Sequence, residues 1–303
     1  MPIILPDRLN SAALLRREGI EVSDRLPRHG TVLRVGLLNL MPDIARTEMQ
    51  FGRLLGTSPH RVEFVLAVPA SYRPGHKETE FYSRWDETTL PQRLDGLIVT
   101  GAPLEHLPFE DVRYWRELTS IYDWAAANVG STLYVCWAAF AAMYRFHGVR
   151  PRILPRKISG VFEQQVLESN DALTSGLGAT FPCPVSRHAE IDSRDVPWRR
   201  GLTCLAKSLE SGLCLIGDDT ANAHYMFNHL EYDADTLKNE YVRDSARRTG
   251  VVLPQSYLPN DDLTQEAPHR WHGAARQLFS NWLEIVTAHR RPHSTADTAR
   301  SAA

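Results

Sequence analysis

STLYVCWAAFAAMYRFHG, residues 131–148, changes its period in the middle. STLYVCW is an apolar, β-rich run of strand type. AAFAAMYRFHGV continues as a helix that Gly148 ends. A buried strand that runs straight into a helix is one step of a parallel sheet. The same step occurs upstream. LDGLIVTGAP (94–103) reads as a strand ending in a Gly-Ala-Pro turn, and VRYWRELTSIYDWAAANV (112–129) as a helix stopping near Gly130. Earlier still, TVLRVGLLNLMP (31–42) reads as a strand closed by Pro42. ARTEMQFGRLLG (45–56) reads as a helix and RVEFVLAVP (61–69) as a second strand. Residues 71–90 are polar, with Pro74 and Gly75, and read as a loop or a short irregular helix. The alternation predicts an α/β fold: a doubly wound, mostly parallel sheet with helices on both faces.

Beyond residue 150 the pattern loosens. GVFEQQVLE, FPCPVSRHAEI, CLAKS and GLCLIGD suggest short strands that extend the sheet. AHYMFNHLEYD reads as a strand and a turn. DADTLKNEYVRDSARRTG reads as a helix capped by Asp233 or Asp235 and stopped by Gly250, and RWHGAARQLFSNWLEIVTAH as a final amphipathic helix. The expected organisation is an N-terminal extension over 1–30, in which LLRREGIEV can make one short helix. A single domain follows over 31–288, and then a disordered polar tail over 289–303.

The bulk properties narrow the function classes. In 303 residues, 34 basic and 36 acidic side chains leave a net charge of -2, so no strong field favours nucleic acid or a membrane surface. No apolar run approaches the roughly 20 residues of a membrane span. The start, MPIILPDRLN, lacks the pattern of a secretory signal. Cys136, Cys183, Cys204 and Cys214 form no C-x-x-C pair. They read as cytosolic thiols, with neither a disulfide framework nor a metal site. A cytoplasmic protein acting on small molecules is expected.

Cys136 stands where the strand meets the helix. A nucleophile there is held on a sharp turn at the carboxyl edge of the sheet, with the backbone N–H groups of the helix start aimed at it. The bland alternative is a buried, inert thiol. His229-Leu230-Glu231 is the second signal. Residues two apart on a strand share a face, so the glutamate can orient the imidazole and the imidazole can deprotonate a thiol. Alone, such a pair is usually two surface residues. Cys first and His-x-Glu late in the sheet is the chain order of class I glutamine amidotransferases, whose flavodoxin-like sheet it would share.

The sequence resembles the homoserine O-acyltransferase family of the trans-succinylase type, a branch of the amidotransferase-like fold. The segments that carry the resemblance include LLNLMPDIARTEMQFGRLLG, DGLIVTGAPLE, STLYVCWAA, SGVFE, SRHAEI and HLEYDADTLKNEYVRD. They run nearly end to end. The resemblance implies that Cys136 carries the acyl group as a thioester, that His229 is base and acid, and that Glu231 orients it. It assigns Lys157, Ser186 and Arg243 to substrate binding. Without it, these are a solvated lysine, a loop serine and a surface arginine. It makes Glu105 the donor determinant. A glycine there goes with succinyl-CoA and a glutamate with acetyl-CoA, because a carboxylate in the acyl pocket repels the free carboxylate of a succinyl group. Acetyl-CoA or succinyl-CoA is then a co-substrate, with no permanently bound cofactor and no metal. The implied role is acetyl transfer to L-homoserine in methionine biosynthesis, and a homodimer is compatible with it.

Three positions depart from the family pattern. Ala138 replaces a glycine and Phe140 a glutamine after the nucleophile, and Asn228 replaces a glycine before His229. Ala138 is expected to restrict the elbow backbone, and Asn228 to keep a left-handed turn. The changes admit L-serine as acceptor. The further alternatives are an amidotransferase-like hydrolase and a non-catalytic relative.

Overall fold

A computed structural model describes residues 2–72, 80–91, 93–247 and 249–290. Most of the expected tail therefore lies outside the described residues. The parallel half of the sheet is built from the apolar runs read above. β3 (Leu33–Leu38), β4 (Val62–Pro69), β6 (Gly96–Val99) and β7 (Ser131–Val135) are almost wholly buried, which is why they read as continuous hydrophobic runs instead of alternating ones. Between them run α2 (Ile44–Gly56), α3 (Trp115–Asn128) and, after β7, α4 (Trp137–His147). The chain goes from β3 outward to β4 and then back to β6 on the other side of β3. That reversal makes the sheet doubly wound and opens a crevice at the carboxyl ends of its central strands.

Residues 1–30 hold β1 (Ile3–Ile4), α1 (Asn10–Arg17) and β2 (Val22–Ser23). β1 pairs in parallel with β4, so this segment forms one edge of the sheet. Two-residue strands are too short to show a period, so the expected N-terminal extension gave no sign of them. The polar stretch 71–90 contains β5 (Ser83–Trp85), a three-residue strand on β4 that anchors Trp85 in the core. Its Pro74 and Gly75 lie outside the described residues.

The second half of the sheet is antiparallel. β8 (Arg152–Val166) and β9 (Thr180–Glu190) form a long hairpin. It joins β10 (Leu202–Ser208), β11 (Gly212–Asp218) and β12 (Ala223–Met226), and β12 closes onto β7 in parallel. The order across the sheet is β2-β1-β4-β3-β6-β7-β12-β11-β10-β8-β9. One core packs α1, α2 and α6 (His272–Ala288) on one face, and another packs α3 and α4 on the opposite face.

α5 (Thr236–Ser245) follows β12. Neither Asp233 nor Asp235 caps it by a side-chain bond, contrary to expectation. Their carboxylates are taken by Arg53 and Arg46 of α2, an arrangement that only tertiary structure creates.

The far end of α4 is pinned by a buried cluster. His147 Nε2 lies 2.6 Å from Asp218 Oδ2, and Tyr225 donates to the same oxygen at 2.6 Å. Burial raises the Asp218 pKa, but the bonds from His147, Thr220 and Tyr225 outweigh it and hold the group at about 2. The folded value is below the unfolded one of about 4, so this stabilisation is present above about pH 4 and is lost as pH falls through about 2. Melting temperatures of the wild type and Asp218→Asn should therefore differ at neutral pH and converge toward pH 2. A constant gap would refute the assignment.

Candidate active site

Cys136 is the residue between β7 and α4, and its φ is 52°. A residue with a Cβ avoids this region unless the surroundings impose it. Here they do. Its N–H donates to the Met226 carbonyl at 2.7 Å, continuing the β7–β12 ladder, while its carbonyl already accepts from Ala139 N–H at 2.9 Å as the first bond of α4. The backbone must turn from strand to helix within one residue, and the side chain is pushed out at the crest. The neighbouring loop closes in as well. A Cβ on Gly101 would stand 3.2 Å from the Cys136 Cβ, so any larger residue there would press Cys136 aside by a few tenths of an ångström. The Trp137 N–H lies on the same side.

The other cysteines have a different character. Burial pushes the Cys204 thiol up to about 11 and the Cys183 thiol well above its ordinary value. Cys183 and Cys214 are fully buried, whereas Cys136 is half-buried.

His229 and Glu231 follow β12 on the strand's carboxyl side. His229 Nδ1 lies 2.6 Å from Glu231 Oε1, and Cys136 is close enough to the imidazole to favour its charged form. His229 is only 3% exposed. Burial disfavours its charged form, but negative charge at Cys136 and Glu231 outweighs that and drives its pKa well above the ordinary value. The fold therefore brings together the three residues read from the sequence, with His229 paired to Glu231 and Cys136 beside it.

Lys157, Ser186 and Arg243 come from three elements and meet around two carboxylates of α5. Lys157 Nζ lies 3.3 Å from Glu240 Oε2 and 3.2 Å from Asp244 Oδ2. Ser186 donates to Glu240, and Arg243 pairs with Asp244 at 2.8 Å. Burial raises the Glu240 pKa, yet Lys157, Ser186, His229 and Tyr232 hold it below the ordinary range, so it stays ionised. Sequence reasoning missed Glu240. It lies three residues before Arg243 on one helix face, and that spacing was the available signal. Arg187 was also missed. It is 3% exposed, and it donates to the carbonyls of Ala189 and Ser211. Burial pulls its pKa down, opposed chiefly by Cys136.

Glu105 is not gathered into this polar cluster. It lines a cavity of about 270 Å³ with His106, Trp137, Phe140, Arg150 and Ile153, and has no ion pair among the described residues. Phe140 packs on Phe227 at 4.9 Å in that wall. The expected effect of Ala138 on the elbow is absent. Ala138 sits inside α4 in ordinary helical backbone, where alanine is favoured, and the strained residue is Cys136 itself. Asn228 does not use a left-handed conformation either. It is fully buried, and neither amide atom has a partner among the described residues. Among those residues no cluster could hold a metal ion, and no helix is long and apolar enough to cross a membrane.

The sequence model of the family described as homoserine O-succinyltransferase matches residues 2–293. A homoserine O-acetyltransferase of Chelativorans sp. (strain BNC1) is 41% identical over 293 residues, covering 94% of each chain. One of Brucella canis is 42% identical over 290 residues, covering 93% of this chain and 94% of its own. Among solved structures, a glutamine amidotransferase of Thermotoga maritima superposes with a TM-score of 0.56 at 11% identity. It covers 85% of this chain and 99% of that one. A glutamine amido transferase of Methylobacillus flagellatus gives 0.53 at 12% identity, over 87% and 97%. At these identities the superpositions speak for the fold alone.

Proposed function

The chain belongs to the homoserine O-succinyltransferase family and is an acyltransferase acting on homoserine, and we propose that it moves an acetyl group from acetyl-CoA to the L-homoserine hydroxyl by way of Cys136. The observation that supports this reading most is the relay of Cys136, His229 and Glu231 at a strained turn.

In the first half of the reaction the Cys136 sulfur attacks the thioester carbonyl of the donor. Negative charge develops on the carbonyl oxygen, and the N–H groups at the start of α4 and in the 101–104 loop are the donors available to it. The carbon–sulfur bond to CoA breaks, and CoA leaves with the proton from His229. The acyl-cysteine carries no charge. One of the two groups that favour the imidazolium is then gone, and His229 can act as a base. In the second half it takes the acceptor's hydroxyl proton, the oxygen attacks the acyl carbon, and the Cys136 sulfur leaves. Glu240 offers an anionic seat for the acceptor's ammonium group. Lys157 and Arg243 offer cations for its carboxylate.

Glu105 supports acetyl over succinyl. Like charges a few ångströms apart cost on the order of 1–4 kcal/mol, which amounts to about fivefold to several hundredfold in rate. Glu105→Gly should therefore raise the rate with succinyl-CoA about fivefold or more relative to acetyl-CoA. Side-by-side assays of the two donors measure this, and an unchanged ratio removes Glu105 from the acyl pocket. L-serine is the second acceptor to test. Product analysis with both donors and both acceptors decides between these readings.

A further inference from the structure

Tyr232 directly follows Glu231, and no step above uses it. Its ring stacks on the His229 imidazole, with centroids 4.1 Å apart and planes 19° apart. Its hydroxyl donates to Glu240 Oε1 at 2.8 Å. Its carbonyl accepts from the Trp271 indole N–H at 2.8 Å, which fixes the backbone beneath the ring. Tyr232 is 5% exposed. Burial, with Glu240 beside it, pushes the phenol well above its ordinary value, so the hydroxyl remains a donor throughout the neutral range.

One rigid ring thus meets two functional groups. Its face lies on the base, and its edge oxygen holds the carboxylate that also receives Ser186 and Lys157. An imidazolium over an aromatic face is favoured electrostatically, and the stack leaves the imidazole no room to rotate out of plane. His229 needs that plane, because one nitrogen must face Glu231 while the other faces the sulfur.

We propose that Tyr232 is a positioning residue: its ring locks the His229 imidazole in the plane between Cys136 and Glu231, and its hydroxyl ties that plane to the acceptor seat at Glu240. The proposal rests on the acyl-cysteine reading above. The two functions belong to different parts of one side chain, so they can be separated. Tyr232→Phe keeps the ring and removes the tie. Tyr232→Leu removes the stack as well.

The experiment measures the burst of CoA released from acetyl-CoA without acceptor, and then the KM for L-homoserine at saturating donor. In Tyr232→Phe the burst rate should stay within about twofold of wild type while the acceptor KM rises about tenfold, the usual effect of losing a hydrogen bond to a charged group. In Tyr232→Leu the burst itself should slow about tenfold. If Tyr232→Phe slows both half-reactions by one factor, or changes neither, the proposal is overturned. Circular dichroism melts identify a misfolded Tyr232→Leu, and Tyr232→Phe then decides alone. A wild type without a burst would sink the acyl-cysteine reading itself. A normal wild-type burst with no split in Tyr232→Phe sinks only the role of Tyr232.

Discussion

Cys136→Ala should lower acyl transfer by about 10⁴-fold or more while leaving the melting temperature nearly unchanged. Both halves of that expectation come from the turn. Alanine and cysteine share a Cβ, so the backbone cost of the 52° φ and the contact with Gly101 are the same in each. Only the sulfur is lost, and it is half-buried and so contributes little to the core. Without it the donor carbonyl has no attacking atom, and His229 has no thiol to serve. Intact-protein mass spectrometry with acetyl-CoA alone gives a second readout: a mass increase of one acetyl group on wild type and none on the variant. A variant that still turned over at the wild-type rate would remove Cys136 from the chemistry.

His229→Asn should cost about 10³- to 10⁴-fold in kcat, and unlike Cys136→Ala it should also destabilise the fold. Glu231 is 7% exposed, and its Oε2 already has no partner. Removing the imidazole strands a buried carboxylate, which costs about 3 kcal/mol or more. The double variant His229→Asn/Glu231→Gln removes that charge. It should regain most of the melting temperature and none of the activity. Recovery of activity in the double variant would show that His229 serves structure, not proton transfer.

What the sequence revealed follows from how each element is stabilised. β3, β4, β6 and β7 are buried on both faces, so their burial is written as apolar runs with turn residues at their ends. β1, β2 and β5 have two or three residues each and exist because a neighbouring strand offers unpaired backbone groups. No local pattern encodes that. The first half of β8 was hidden for another reason: Arg152, Ile153, Pro155 and Arg156 are all exposed on a hairpin with a register shift, so no alternation marks the strand. The site divides in the same way. Cys136 was legible because a strand–helix junction is local; His229 and Glu231 were expected to share a strand face but stand in the turn after β12, where their direct contact and not the strand period pairs them. Glu240 and Arg187 meet Ser186 and Ser211, 54 and 24 residues away, and such distances carry no periodic signal.

The pairing of β12 with β7 has a consequence for synthesis. β7 emerges from the ribosome about 90 residues before the strand that covers its edge. At the usual rate of about 5–20 residues per second, that edge is unpaired for roughly 5–20 seconds. During this interval the nascent chain offers a bare apolar strand ending in a thiol that lacks its histidine. The order of translation keeps Cys136 apart from His229 until the sheet closes. Before β12 arrives, the uncovered β7 edge is also open to pairing with another chain.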